Sequence, residues 1–383
     1  MPGLFMQHRW VSTFQNNSFI CVNLCNLWIA FTNTVLPMNF KSDNEAPAHP
    51  LILEAIAEAN AGMASAYADD AWSERLDGVF SELFETECSV LPLATGTAAN
   101  SVTLAATSPV WGAVMCHRQA HIANDEGGAP EFYTHGAKLV LLDGSHGKLH
   151  ADALGRSIDA AGAHGVHNLK PSVVSITQAT ECGTSYRPDE IAAIAEVAHA
   201  RGLPLHMDGA RFANAMAWLD IPPAEATWKA GVDALSFGAT KNGALTAEAI
   251  VVFGHPEWLE AMQRMRKRGG HLLSKMRYVS AQLLAMLDGD LWLELAGHAN
   301  KMAARLAEAI ETHPEASLEW PVEANEVFLR WTPEKLAELK NQGFEFHIWP
   351  GHDDLARLVC SFATQPGEVD RLVAALQADV GGA

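Results

Sequence analysis

Two short stretches hold residues whose types and setting suit one chemistry. In Asp233-Ala-Leu-Ser-Phe-Gly-Ala-Thr-Lys-Asn-Gly243 an apolar run gives way to the small residues Gly238 and Ala239 and then presents a single amine, Lys241. In Leu203-Pro-Leu-His-Met-Asp-Gly-Ala-Arg211 an apolar run ends on an acid, a glycine and a base. An amine that condenses with an aldehyde must spend part of its time neutral, and desolvation at a strand end favours that form. A carboxylate facing a pyridine nitrogen keeps that nitrogen protonated, so the ring can accept electrons.

A lysine for the aldehyde and an acid for the ring nitrogen form the recurring pair of pyridoxal phosphate sites. Taken singly, Lys241 also reads as a solvated loop lysine and Asp208 as a helix N-cap. Each follows an apolar strand and is itself followed by Asn-Gly or Gly-Ala-Arg, and that shared setting points to one site.

Elements able to position such a pair run through the middle of the chain. Strands are expected at 88–93, 113–117, 138–142, 172–177, 203–207, 234–237 and 249–253, with helices near 50–60, 76–83, 96–107, 151–162, 188–201 and 222–231. Alternation of this kind argues an α/β fold with a mainly parallel, helix-covered sheet. Ligands in such sheets sit at the carboxyl ends of the strands, where both Asp208 and Lys241 are expected. The small residues Ala94-Thr-Gly-Thr-Ala-Ala-Asn100 open a helix whose exposed amides suit a phosphate. No Gly-x-Gly-x-x-Gly follows a strand, which argues against a dinucleotide.

Beyond Pro256 the organisation changes. Helices are expected at 256–268, 272–288, 291–311, 333–341 and 366–378, with short strands at 326–331, 344–349 and 357–362, making a smaller α/β domain. The expected division is 1–37 as a disordered extension of the chain, 38–270 as the large cofactor-binding domain and 271–383 as the small C-terminal domain. The apolar run Phe19 to Phe31 contains internal asparagines and is too short and polar for a spanning helix.

The chain has 383 residues, enough for more than one domain. Its 26 basic and 45 acidic residues give a formal charge of −19, which disfavours nucleic acid and anionic membranes as partners. The six cysteines show no paired spacing, as suits a reducing cytoplasm. No metal is expected.

From Met38 to about Thr364 the sequence resembles the L-threonine aldolase family, in its low-specificity branch, among the fold-type I pyridoxal phosphate enzymes. The matching stretches are Phe40-Lys-Ser-Asp-Asn44, Tyr67-Ala-Asp-Asp70, Thr95-Gly-Thr-Ala-Ala-Asn100, Ala120-His-Ile-Ala-Asn-Asp-Glu-Gly-Gly-Ala129, His206-Met-Asp-Gly-Ala-Arg211 and Ser236-Phe-Gly-Ala-Thr-Lys-Asn-Gly243. The resemblance implies that Lys241 is the lysine bonded to pyridoxal 5'-phosphate, that Asp208 partners the ring nitrogen, and that Gly96 and Thr97 form the phosphate turn. It implies that His121 stacks on the ring near the reacting hydroxyl. Arg211 is placed among the cofactor-binding residues and, with Arg357 and Ser42, among those that hold the substrate carboxylate; a planar guanidinium grips a carboxylate through two hydrogen bonds.

The implied reaction is cleavage of L-threonine, L-allo-threonine and aryl analogues such as L-phenylserine to glycine and an aldehyde, with Lys241 and His121 catalytic. The same scaffold also serves β-elimination, racemisation and transamination, and a non-catalytic cofactor-binding protein is a further alternative. The chain departs from many relatives at Glu181, where they carry a second histidine. Lys275 and Arg277 both lie in the basic stretch expected near the cofactor phosphate. A homo-oligomer, dimer or tetramer, is implied, with Tyr67 and the stretch around Lys275 crossing the interface.

Overall fold

A computed structural model describes residues 38–378, and every structural statement below concerns these residues. The expectation for 1–37, and the two cysteines within it, lie outside them. Seven strands form one sheet in the spatial order Cys88–Leu93, Glu248–Phe253, Ala234–Gly238, Leu205–Gly209, Lys170–Thr177, Gly112–His117 and Lys138–Leu142. All neighbouring pairs are parallel except the two made by Glu248–Phe253, which runs against Cys88–Leu93 and Ala234–Gly238. Pattern alone gives no strand direction, so this reversal was not visible in the sequence.

The central strands read as continuous apolar runs because both faces are covered. Every residue of Gly112–His117, Leu205–Gly209, Ala234–Gly238 and Glu248–Phe253 is buried. One large apolar core includes Phe80, Phe84, Phe212, Phe237 and Trp292, with Phe212 and Trp292 stacked at 6.2 Å. A second core gathers Met38 and Phe40 with Met302, Leu306, Val327, Leu329, Leu358 and Leu372. It lies under a four-stranded antiparallel sheet of Ser317–Leu318, Glu326–Arg330, Leu355–Val359 and His347–Ile348. The helix Leu291–Glu311 contributes to both cores.

Three expectations change. The segment 222–231 is two 3-10 turns, Pro223–Ala226 and Trp228–Ala230, because Pro222 and Pro223 remove amide donors and Thr227 breaks the helical path at φ −125° and ψ −113°. A helix not expected, Phe212–Leu219, directly follows Arg211 without a side-chain cap and ends on Asp220 at φ +53°. The strand expected at 344–349 is divided: Phe344–Glu345 pairs with Met38–Asn39, and His347–Ile348 joins the four-stranded sheet.

Candidate active site

Asp208 lies within its strand rather than after it, paired in register with Thr177 on one side and Ser236 on the other. Lys241 sits one turn beyond the neighbouring strand, in Thr240–Asn242, and is half-buried. The two strand ends come close because they carry glycine. A methyl group on Gly209 would lie 2.7 Å from the Ser236 carbonyl oxygen, and one on Gly238 would lie 2.7 Å from Ala210 Cα. The lysine turn is tied back to the antiparallel strand side, with the Ala247 amide donating to Thr240 Oγ1 at 3.1 Å.

A buried relay links the aspartate to the histidine. Asp208 Oδ1 accepts from the Ala210 amide at 3.1 Å, and Oδ2 accepts from Asn100 Nδ2 at 2.8 Å. Asn100 Nδ2 also donates to Glu126 Oε1 at 2.8 Å, and that oxygen is bonded to His121 Nδ1 at 2.9 Å. Nε2 of His121 is therefore the nitrogen left for a ligand. Burial opposes charge on this imidazole, but the Glu126 hydrogen bond and the charge of Asp208 outweigh it, so His121 titrates above the ordinary histidine value. Glu126 is pushed up by burial and by Asp208 despite His121. His121, Glu126 and Asp208 place three possible ligand atoms within 4.8 Å, a grouping the relay itself explains.

Of the two expected carboxylate anchors, Arg211 is already engaged. Its Nε and one Nη donate to Asp43 at 2.8 and 3.0 Å in a fully buried pair, which leaves only Nη1, 3.5 Å from Glu326. Burial works against ionised Asp43, yet Arg211 and Lys241 hold its carboxyl below the usual range. Arg357 retains a free Nε and a Nη1 that stands 3.7 Å from Glu326, with its guanidinium over the Trp349 ring. Ser42 caps the Asp43–Glu45 turn by accepting from the Asn44 amide.

These side chains line two cavities that share Asn44, His121 and Lys241. The smaller, about 300 Å³, is also lined by Thr95, Gly96, Thr97, Asn100, Asp208 and Glu248. The larger, about 680 Å³, takes Ser42, Glu181, Arg211, Trp349 and Arg357. At the mouth of the Gly96–Thr107 helix, Thr95 satisfies the amides of Ala98 and Ala99, and the amides of Gly96 and Thr97 have no intrahelical partner. A methyl on Gly96 would meet nothing within 4 Å, so the cradle is open.

A profile of the beta-eliminating lyase family matches residues 39–332. The low specificity L-threonine aldolase of Pseudomonas aeruginosa is 45% identical over 87% of this chain and 95% of its own length. This chain belongs to the L-threonine aldolase family. A second low specificity L-threonine aldolase, from another Pseudomonas strain, is 43% identical over 88% of this chain and 97% of its own length. The structure of the Leishmania major threonine aldolase superposes with a TM-score of 0.82 at 29% identity, over 90% of this chain and 100% of that one. The fold is accordingly that of the fold-type I enzymes, a mostly parallel sheet covered by helices.

The residues expected from sequence divide between the two cavities, and Arg211, expected at both cofactor and substrate, lines only the larger. Lys241, Asp208, His121, Gly96 and Thr97 surround one cavity, and Ser42, Arg211 and Arg357 meet at the other. The donor set fits pyridoxal phosphate: an amine, a buried carboxylate, an imidazole and free helix-start amides around an open volume of that scale. Lys275 and Arg277 line neither cavity. Asp43, Asn100 and Glu126 lie inside the stretches that carry the family resemblance, where no local pattern marks them as site residues; Glu248 and Glu326 lie outside those stretches, Glu326 at the start of the strand expected at 326–331. Burial pushes the Glu248 carboxyl up to about 7, against the opposing pull of Thr240 and Lys241.

Proposed function

We propose that this chain, with pyridoxal 5'-phosphate bound, cleaves L-threonine, L-allo-threonine and L-phenylserine to glycine and an aldehyde. The observation that carries this reading is that Lys241 and His121 belong to both cavities, so a cofactor-sized space and an amino-acid-sized space share the same amine and imidazole. Lys241, Asp208, His121, Gly96 and Thr97 would hold the cofactor. Bound there, it supplies an aldehyde for the amine and an electron-accepting pyridinium ring.

The chain's own groups do the rest. Arg357, with Ser42 and Nη1 of Arg211, holds the substrate carboxylate and so fixes how Cα is presented. His121 removes the β-hydroxyl proton at Nε2, with its other nitrogen held by Glu126. As the aldehyde leaves, a proton delivered to Cα completes glycine. Glu181, buried in the wall of the larger cavity, is a second acid–base group within the same space.

Purified protein supplied with the cofactor is expected to release aldehyde and glycine in equal amounts from the L-isomers and none from D-threonine. The matched family's description favours one second reading, β-elimination, for which keto acid and ammonia would appear in place of glycine.

The remaining parts of the reading concern assembly and setting. We infer a homo-oligomer, dimer or tetramer, supported by the exposed apolar side chains Leu51, Leu53, Met63, Leu245 and Leu273, and by Tyr67, half-exposed with Lys267 Nζ 4.1 Å from its ring centre. Division into a large and a small domain is supported by the largest apolar core, which also takes in Met276 to Ala296, and by the second core beneath the four-stranded sheet, which also takes in Met38 and Phe40. Cytoplasmic location rests on unpaired, buried Cys88, Cys116, Cys182 and Cys360. No helix among the described residues is long and apolar enough to cross a membrane.

A further inference from the structure

The strand Glu326–Arg330 begins with an acid that has no exposed surface. Neither of its carboxylate oxygens has a hydrogen-bond partner among the described residues. Nη1 of Arg211 and Nη1 of Arg357 approach Oε1 at 3.5 and 3.7 Å, near enough for attraction and too far for a hydrogen bond. A buried carboxylate with no donor is costly, so its persistence between two substrate-facing guanidiniums calls for an explanation.

Four elements face this acid. Arg211 follows the strand Leu205–Gly209, Arg357 comes from the neighbouring strand, and Asp43 from the turn after Ser42. The loop carrying Glu181 and the Cys182 thiol closes the fourth side. That loop is pressed on the acid at Gly183, φ +72°, where a methyl group would lie 3.2 Å from Glu326 Cβ and 2.9 Å from its carbonyl oxygen. Two guanidinium charges thus already meet three carboxyls, those of Asp43, Glu326 and Glu181. An incoming amino-acid carboxylate adds another negative charge beside Glu326, which has no exposed surface. One of the resident acids must then be neutralised.

Asp43 is the wrong acid for that, since Arg211 Nε, Arg211 Nη2 and Asn325 Nδ2 all donate to it. Glu326 has no donor to lose. We propose that Glu326 is a proton-accepting positioning residue. Ionised before substrate arrives, it draws Arg211 and Arg357 together, and it takes up one solvent proton when an amino-acid carboxylate replaces it as their partner. Burial, together with Glu181 and Asp43, already pushes its carboxyl above the usual value in spite of the two arginines. The inference rests on the reading that these arginines receive the substrate carboxylate, and not on which bond is later broken.

Calorimetry of the holoenzyme tests it. Glycine is titrated in buffers of different protonation enthalpy at mildly alkaline pH, with ethanolamine, which has the amine and lacks the carboxylate, as the second arm. Wild type is expected to take up close to one more proton per glycine than Glu326→Gln does, and ethanolamine is expected to show no such difference. KM of the wild type rises with pH toward about tenfold per unit above the Glu326 pKa, and the variant loses that slope. Should Glu326→Gln not fold, infrared difference spectra of wild type replace it: glycine, but not ethanolamine, is expected to bring up a protonated-carboxyl stretch. Equal proton uptake in both proteins, no such band, or no glycine binding overturns the proposal. Absence of aldehyde release alone leaves it standing, because glycine binding requires no carbon–carbon cleavage.

Discussion

Asp43 grips Arg211 through both oxygens, at 2.8 and 3.0 Å, with both side chains almost wholly buried. The pair joins a turn near the beginning of the described chain to the strand end that carries Asp208, and Asn325, just before the strand Glu326–Arg330, completes it by donating to Asp43 at 3.0 Å. Removing one partner of a buried ion pair strands the other, and the usual cost is about 3–5 kcal/mol. Asp43→Ala is expected to lower the thermal midpoint sharply and to impair substrate binding. A melting temperature close to wild type would show that Arg211 finds another partner.

Because Asp43 occupies Arg211, the guanidinium in the larger cavity with an unpartnered Nε is that of Arg357, whose Nη1 stands 3.7 Å from Glu326. Arg357→Ala is expected to raise KM for L-threonine by roughly one to two orders of magnitude, the loss expected for a charge-assisted pair worth about 1.5–3 kcal/mol. The stability of the cofactor-free protein should change little by comparison with Asp43→Ala. Steady-state kinetics and a melting curve on the same sample separate the two roles.

The Glu126 carboxylate sets the proton affinity of His121. If His121 acts as a base, activity rises with pH as its imidazole loses its proton, and Glu126 holds that limb at higher pH than an ordinary histidine would give. Glu126→Gln removes the charge and is expected to move the acid limb of kcat/KM to lower pH, toward that of an ordinary histidine. An unmoved limb would assign it to another group, with Glu181 the first to examine.

How much of this was legible in the sequence depended on distance along the chain. Lys241 and Asp208 could be read because each sits in a short apolar-to-small pattern that is itself the strand end that positions it. The relay through Asn100 could not, since its amide meets Asp208 across 108 residues and Glu126 across 26. The partner of Arg211 lies 168 residues away and only the folded chain brings it there. Helices with a proline or capping signal at their start, such as Pro333–Asn341 and Pro366–Ala378, matched their expected limits. Phe212–Leu219 carries neither signal and starts straight out of a site residue, so no local pattern marks its beginning.

Glu248 carries a prediction about stability rather than turnover. It is buried beside Lys241, and burial pushes its carboxyl up to about 7 in the folded chain from an ordinary 4.5. Between those two values the folded state binds the extra proton, so stability is greatest on the acid side and falls as pH rises through the window. Once the group is ionised in both states the loss amounts to about 3 kcal/mol, at 1.36 kcal/mol per pKa unit. Glu248→Gln removes the titration. Its melting temperature relative to wild type is therefore expected to climb from mildly acidic to mildly alkaline pH in the cofactor-free protein. A difference that stays constant across that range would mean that Lys241 and the Thr240 hydroxyl compensate the buried charge fully, and that Glu248 ionises at an ordinary pH.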